Sequence, residues 1–473
     1  MTNPNAPHIW LPEPKLAFHP DRTSDQDIHP LRGLLRFGPH SSGLVPAPIR
    51  VATIAPAGES GRLYSFLKEL NSVSKPTERA DYLPEWPGFQ PVFGLHVRGA
   101  GTGCHVELDP ALEAEIRASP TPHIGLADRL LRAIQGLEAR RAHLDVLFIY
   151  LPQRWSRGYV GGEGDDFDLH DHVKAATAAR RLPVQLVRED QALAYLDRAS
   201  VMWRIGLALY AKAGGVPWKL ADTDRDTAYI GISYAVRPPE SDRPRFVTCC
   251  SQVFDAEGSG LEFVAYDAHE VEVQRDNPFL SRTEMFRVMT RSMDLYRRRH
   301  AGRSPRRVVV HKTTEFKPDE IDGSMEALHL CETVDLVQIV EDVGWRGVRI
   351  DGSGNAKKGA PAAFPVERGT LVGLGPREAL LWTHGDVRGI GKRGSYFQGG
   401  RSTPRPVRLI RHAGHGPWDE TARAILALSK MNWNNDALYD PLPVTVGFAK
   451  VLARVVKRMR GLGSGPYQFR FFM

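Results

Sequence analysis

The sequence predicts an α/β fold in two successive parts, and three observations carry that prediction. Strand-like and helix-like segments alternate from about residue 48 to residue 221. Three strand-like segments then follow one another with no helix between them. Alternation resumes afterwards and ends in two helices. The composition supports folding throughout: of 473 residues, 42% are apolar and 25% charged, which excludes wholesale disorder and a fibrous chain.

The elements can be justified in order. Residues 1–47 carry Pro4, Pro7, Pro12, Pro14, Pro20 and Pro30. Proline lacks the N–H that regular structure uses, so an extended N-terminal extension is expected, with Trp10, Leu11, Leu16 and Phe18 as apolar anchors. Ile49–Ile54 reads as a strand and 61–72 as a helix. Leu144–Leu151 is apolar nearly throughout, the mark of a strand buried on both faces. A loop rich in Gly and Asp follows, and Asp168 is placed to N-cap a helix running to about Arg181. Pro183–Val187 is a short strand, and Met202–Lys212 is a helix closed by Gly214 and Gly215. This alternation predicts a parallel, Rossmann-like domain over 48–221. Thr227–Val236, Arg245–Phe254 and Leu261–Tyr266 then read as an antiparallel meander. A helix at 282–300, a strand at Arg307–His311, and helices at about 418–430 and 446–460 complete the chain. A meander followed by alternation is the layout of an RNase H-like domain, one candidate among several α/β folds.

Charge is unevenly distributed. The formal net charge is +7, yet residues 385–473 hold 15 Lys/Arg against 5 Asp/Glu, a net of +10, which leaves −3 for residues 1–384. Such a block marks a polyanion partner or a solubilising surface, and composition leaves both open. Cys104, Cys249, Cys250 and Cys331 are too few and too scattered for a disulfide framework or a zinc knuckle, so a cytoplasmic, reducing compartment is expected. The first 25 residues lack the apolar core of a secretory signal. Leu144–Leu151 is far short of the ~20 apolar residues of a membrane helix. The spacing of His412 and His415 is ligand-like but has no Cys or acidic companion.

One constellation points to anion chemistry. His170 and Lys174 lie four apart, hence on one face of the predicted helix, near its N-terminus. Free N–H groups and the positive dipole end already favour an anion there. Gln185 lies on the next strand and Lys212 at the end of the next helix. A solvated helix start with incidental polar residues is the plain alternative. No G-x-G-x-x-G turn follows Leu144–Leu151, which argues against a dinucleotide enzyme.

Three long segments carry a family resemblance: Phe167–Lys174 (FDLHDHVK), Pro183–Gln185 (PVQ) and Leu209–Leu220 (LYAKAGGVPWKL). Together they resemble the MID domain of Argonaute proteins. Ser429–Asn435 (SKMNWNN) followed by Pro441–Thr445 (PLPVT) resembles the end of their PIWI domain. The resemblance implies a MID domain at 48–221 and an RNase H-like PIWI domain at 222–473, with no N or PAZ domain, as in short prokaryotic Argonautes. It places the guide 5′-phosphate pocket on His170, Lys174, Gln185 and Lys212. It also implies Mg2+ bridging the guide phosphates to a terminal carboxylate at Met473, reached by the tail Tyr467–Met473.

The same resemblance bears on catalysis and output. The acidic tetrad of PIWI nucleases reads as Ser233, Lys312 and Lys450 at three of its positions, so no catalytic residue is assigned and cations are expected where metal would sit. Glu315, Asp436 and Asp440 read as solvated loop acids. Nucleic-acid backbone contacts are expected from Arg388, Lys392, Arg393, Arg405, Arg408, Arg454, Lys457 and Arg458, and the loop 352–359 is a further candidate. The implied function is a guide-directed sensor. It would bind a short guide RNA and a complementary single-stranded DNA target. It would then activate an APAZ-containing, NAD-degrading effector, sirtuin-like rather than TIR, in defence against plasmids or phage. An active guide-dependent endonuclease is the alternative. The N-terminal extension is expected to form part of the effector interface.

Overall fold

A computed structural model of the chain describes residues 8–473 apart from 44, 164, 222–225, 238–244, 254–261, 275–276, 342, 352–358, 393, 398–402, 460 and 463–465. Two sheets organise it. The first is parallel throughout. Ile49–Pro56 lies at its centre, with Val97–Gly99 and His105–Leu108 on one side and Val146–Leu151, then Val184–Arg188, on the other. All six residues of Val146–Leu151 are buried, because helices cover both faces. Leu147, Ile149 and Leu151 pack with Leu126, Leu130 and Ile134 of helix Pro122–Gly136. Phe148 and Tyr150 face the opposite way, towards Trp86 and Trp203.

Ten strands form the second sheet. The meander Thr227–Arg237, Arg245–Val253 and Glu262–Ala268 lies towards one end and is joined in parallel through Thr227–Arg237 to the middle strands Arg307–Lys312 and Thr333–Val340. Helices Arg282–Arg299 and Pro318–Ala327 cover one face around Met285, Val288 and Met289. Helices Trp418–Leu428 and Val444–Lys457 cover the other. The last crosses the central strand so closely that a Cβ at Gly231 would lie 1.7 Å from the Thr445 carbonyl oxygen. Glycine is required there by the close approach.

The expectation of an extended N-terminal extension is corrected. His8–Trp10 forms the edge strand of the ten-stranded sheet, paired with Thr370–Val372. Leu16–Ala17 pairs with both Gln26–Asp27 and Lys219–Leu220, and Pro30–Phe37 is a helix capped by His29. The Glu13 side chain is buried and bonded to Arg368 (2.9 Å) and Lys430 (2.6 Å). The prolines break the segment into short pieces; long-range partners then hold each piece.

Asp436 and Asp440 are corrected likewise. Asp436 is buried and accepts from Arg79 at 2.8 Å and Ser200 at 2.9 Å. Asp440 accepts from Asn432 at 2.7 Å and Asn435 at 3.1 Å. Burial pushes its carboxyl above the usual range. Glu315 is exposed and pairs with Lys317 at 2.5 Å. The helix expected from Met202 starts earlier, at Arg198, because Asp197 caps it through Ser200 N at 3.2 Å. Among the described residues, no helix is long and apolar enough to cross a membrane.

Candidate functional site

The strand ends of the first sheet and the C-terminal segment enclose a cavity of about 340 Å³. Helix Leu169–Ala179 presents its N-terminus to it. Asp168 caps this helix, accepting from Asp171 N at 3.0 Å, and so fixes where the first turn begins. That places His170 at the rim, with its side chain 48% exposed, and Lys174 one turn deeper at 1% exposure. Strand Val184–Arg188 supplies Gln185, and helix Arg198–Lys212 ends on Lys212, also 1% exposed. All four sequence-selected residues therefore line one cavity. Asn434 and Met473 of the C-terminal part complete the wall. Sequence reasoning did not single out Asn434, although it lies inside the Ser429–Asn435 motif.

The hydrogen bonds inside the cavity are unusual for buried cations. Lys174 Nζ donates to the Val184 carbonyl at 2.6 Å and to the Met473 main-chain oxygen. Lys212 Nζ donates to Gln185 Oε1, whose amide donates to the Leu186 carbonyl at 3.0 Å. Among the described residues, neither lysine forms an ion pair with an Asp or Glu side chain. Burial pulls Lys212 down to about 7. Burial and the neighbouring Lys212 cation pull Lys174 well below the usual lysine range. At the rim, burial alone would raise Asp171, but His170 at 3.1 Å and Arg454 at 3.3 Å hold it below the usual carboxylate range. An anion entering the cavity meets two ammonium groups, a helix N-terminus and an amide. A phosphate monoester is the chemistry that matches them.

The ten-stranded sheet does not gather the three degenerate positions together. Its register sets Gly231 beside His311, so Ile232 lies beside Lys312. Side chains alternate between faces with period two. Gly231 and His311 face helix Val444–Lys457, and His311 Nδ1 lies 2.8 Å from Thr445 Oγ1. Ser233 continues on that face. Lys312 points the other way and bonds both Glu320 oxygens at 2.6 and 2.7 Å. Tyr234, Phe279 and Phe316 lie 5.0–5.2 Å from its ammonium. Lys450 pairs with Glu341. The expected cation at the nuclease position is thus corrected for Lys312, whose charge is neutralised on the opposite face.

The basic residues fall into different settings. Arg388 pairs with Glu367 and lies 5.3 Å from the Trp10 ring, and Arg408 pairs with Glu378 at 2.7 Å. Lys392 and Arg405 are exposed. Arg454 reaches Asp171, while Lys457 and Arg458 reach Asp166, so these three tie helix Val444–Lys457 to the first sheet's domain. Arg393, and 352–358 of the loop 352–359, lie outside the described residues, as do the side chains of Cys249 and Cys250. His412 Nε2 is 3.0 Å from Gln338 Oε1.

Comparison with solved structures places this architecture. Over 96% of the chain, it superposes on 53% of Clostridium butyricum Argonaute bound to a guide DNA and a 19-mer target DNA, with a TM-score of 0.64 and 14% identity. The fold is an Argonaute fold. Aquifex aeolicus Argonaute gives a TM-score of 0.60 at 16% identity, covering 99% of this chain and 57% of that one. The same comparison with Aa-Ago carrying externally bound siRNA gives 0.63 at 15% identity, covering 99% and 56%. In sequence, Protein argonaute of Thermus thermophilus is 28% identical over 167 residues, 34% of this chain and 20% of that protein. No family model matches the chain. The chain spans about half the length of the Argonaute structures it matches.

Proposed function

We propose that the chain binds a short nucleic acid by its 5′-phosphate and uses it as a guide to hold a complementary strand. The observation that carries this is the pair of buried lysines, Lys174 and Lys212, bonded to main-chain and amide oxygens in one cavity beside a helix N-terminus. The fold shared with a guide-bound Argonaute supports it. A short RNA guide and a single-stranded DNA target are the partners we favour, and the +10 C-terminal stretch suits a nucleic-acid backbone. The test is equilibrium binding of otherwise identical 5′-phosphorylated and 5′-hydroxyl oligonucleotides, together with sequencing of nucleic acid that co-purifies with the chain.

A divalent ion at the guide 5′ end belongs to the same reading. Met473 brings a main-chain oxygen to the cavity wall, and Asp168, His170 and Asp171 cluster at the rim with ligand atoms within 4.8 Å of one another. The Met473 oxygen and the Asp168 and Asp171 carboxylates would suit Mg2+, with His170 as a nitrogen donor beside them. A cation held by these residues would neutralise phosphate charge, while Lys174 and Lys212 orient the phosphate.

We read the chain as a short, non-cleaving sensor. Ser233 at the first-strand position and Lys450, paired with Glu341, support this. Incubating guide-loaded protein with complementary target and Mg2+ or Mn2+ tests it; guide-dependent scission would overturn it. Output then falls to an associated APAZ-containing effector that degrades NAD, sirtuin-like in our reading and TIR-bearing as the alternative, in cytoplasmic defence. His8–Trp10 at the sheet edge, with Ile9 and Trp10 partly exposed, is the part of the N-terminal segment suited to such a contact. Deleting 1–47 would remove Glu13, three strands and a helix, so Ile9→Glu is the cleaner test. Loss of effector co-purification with unchanged melting is the expected result.

A further inference from the structure

Behind the C-terminal segment lies a second cavity, of about 300 Å³, which the guide reading does not use. Its walls are mainly apolar, with Val216 and Phe469 among them. Two polar groups stand out. Trp433 is 6% exposed, and its Nε1 is buried with no hydrogen-bond partner among the described residues. An unmet buried N–H is destabilising. Arg470 is the second. Its Nε donates to Gln468 Oε1 at 2.9 Å, and its guanidinium lies 5.0 Å from the Phe471 ring, with no carboxylate partner among the described residues. Gly214 leaves room for that guanidinium, since a Cβ there would lie 2.8 Å from Arg470 Nη1. Glu262 also lines the cavity, but Arg299 pairs with it at 2.9 Å. The site therefore combines an apolar body with one cation that has no carboxylate partner among the described residues.

We propose that this cavity binds a small amphipathic anion, an aromatic carboxylate or sulfonate, with its charged oxygens on Arg470 and its ring against Trp433, Val216 and Phe469. The volume is at the small end of ligand sites, which suits a one- or two-ring molecule. Met473 lines both this cavity and the lysine cavity, so an occupant would touch the residue that holds Lys174. The proposal does not depend on the guide reading.

The test is a fluorescence titration of the full chain with 8-anilinonaphthalene-1-sulfonate. Saturable binding at one site per chain is expected. Arg470→Met should weaken it at least tenfold. Trp433→Phe should weaken it several-fold while leaving thermal melting unchanged or raised, because an unpaired donor is deleted. Val216→Trp, which fills the cavity, should abolish it, and it serves should Arg470→Met fail to fold. Lys212→Met should leave dye binding intact, and Arg470→Met should keep 5′-phosphorylated oligonucleotide binding. Dye affinity unchanged in both Arg470→Met and Val216→Trp, or lost only in Lys212→Met, would overturn the proposal.

Discussion

Two sets of buried lysines in this chain meet opposite fates. Lys312 is 1% exposed and is answered within the protein by both oxygens of Glu320 and three aromatic rings. Lys174 and Lys212 are equally buried, yet they bond main-chain and amide oxygens in an open cavity. A buried ion pair is internally complete, and its removal is felt as lost stability. Lys212, bonded to a neutral amide oxygen with no carboxylate partner among the described residues, is incomplete, and its natural complement is an anion from outside. The residue type is the same; the partner decides whether the lysine serves the fold or a ligand.

The largest way to break this comparison is Glu320→Gln. It strands Lys312 without a counterion and should lower stability by about 3–5 kcal/mol, read from denaturant melts. The paired change Lys312→Met with Glu320→Leu should recover most of that. Lys212→Met is the mirror case. A charge-assisted hydrogen bond is worth about 1.5–3 kcal/mol, so affinity for a 5′-phosphorylated oligonucleotide should fall roughly 10- to 150-fold. Melting should be unchanged or improved, because a buried charge is removed. A stability loss like that of Glu320→Gln would erase the distinction.

A pH series sharpens it further. Burial holds Lys212 at about 7 in the ligand-free chain, against 10.5 for an ordinary lysine. The unfolded chain therefore binds more protons between about pH 7 and 10.5, and this group's contribution to stability rises with pH across that window. Phosphate binding needs the charged form, so binding takes up a proton. Affinity should fall by at least about tenfold per pH unit above 7 in an isothermal titration series, because Lys174 is lowered as well. Below about pH 6 the phosphate itself loses charge, so the optimum should lie near 6–7. The smallest expected effect is that of Lys457→Ala. Its pair with Asp166 is exposed and should be worth under about 1 kcal/mol in melting.

Much of the fold was legible because it is written locally. Asp168 announces its helix by capping chemistry, and Leu144–Leu151 announces a doubly buried strand by composition. That His170, Lys174, Gln185 and Lys212 line one cavity was legible from their order, although no single residue of the four was informative. Lys312 was misread for a physical reason. On a strand, one position of register exchanges the two faces, and Lys312 stands one place beyond His311, which faces Thr445. The N-terminal segment was misread because its partners are distant in sequence: His8 pairs with Val372 and Glu13 with Arg368. Asp436 reads as a loop acid until Arg79, 357 residues away, is brought to it. Proline counts and loop composition carry none of that information.

The most direct measurement is the affinity of the full chain for one oligonucleotide in 5′-phosphorylated and 5′-hydroxyl forms, with wild type and Lys212→Met side by side at pH 7. A 5′-phosphate preference of tenfold or more in the wild type that collapses towards unity in the variant is the result predicted. Equal affinity of the wild type for both forms, or an undiminished preference in Lys212→Met, would contradict the assignment of the lysine cavity as the phosphate site.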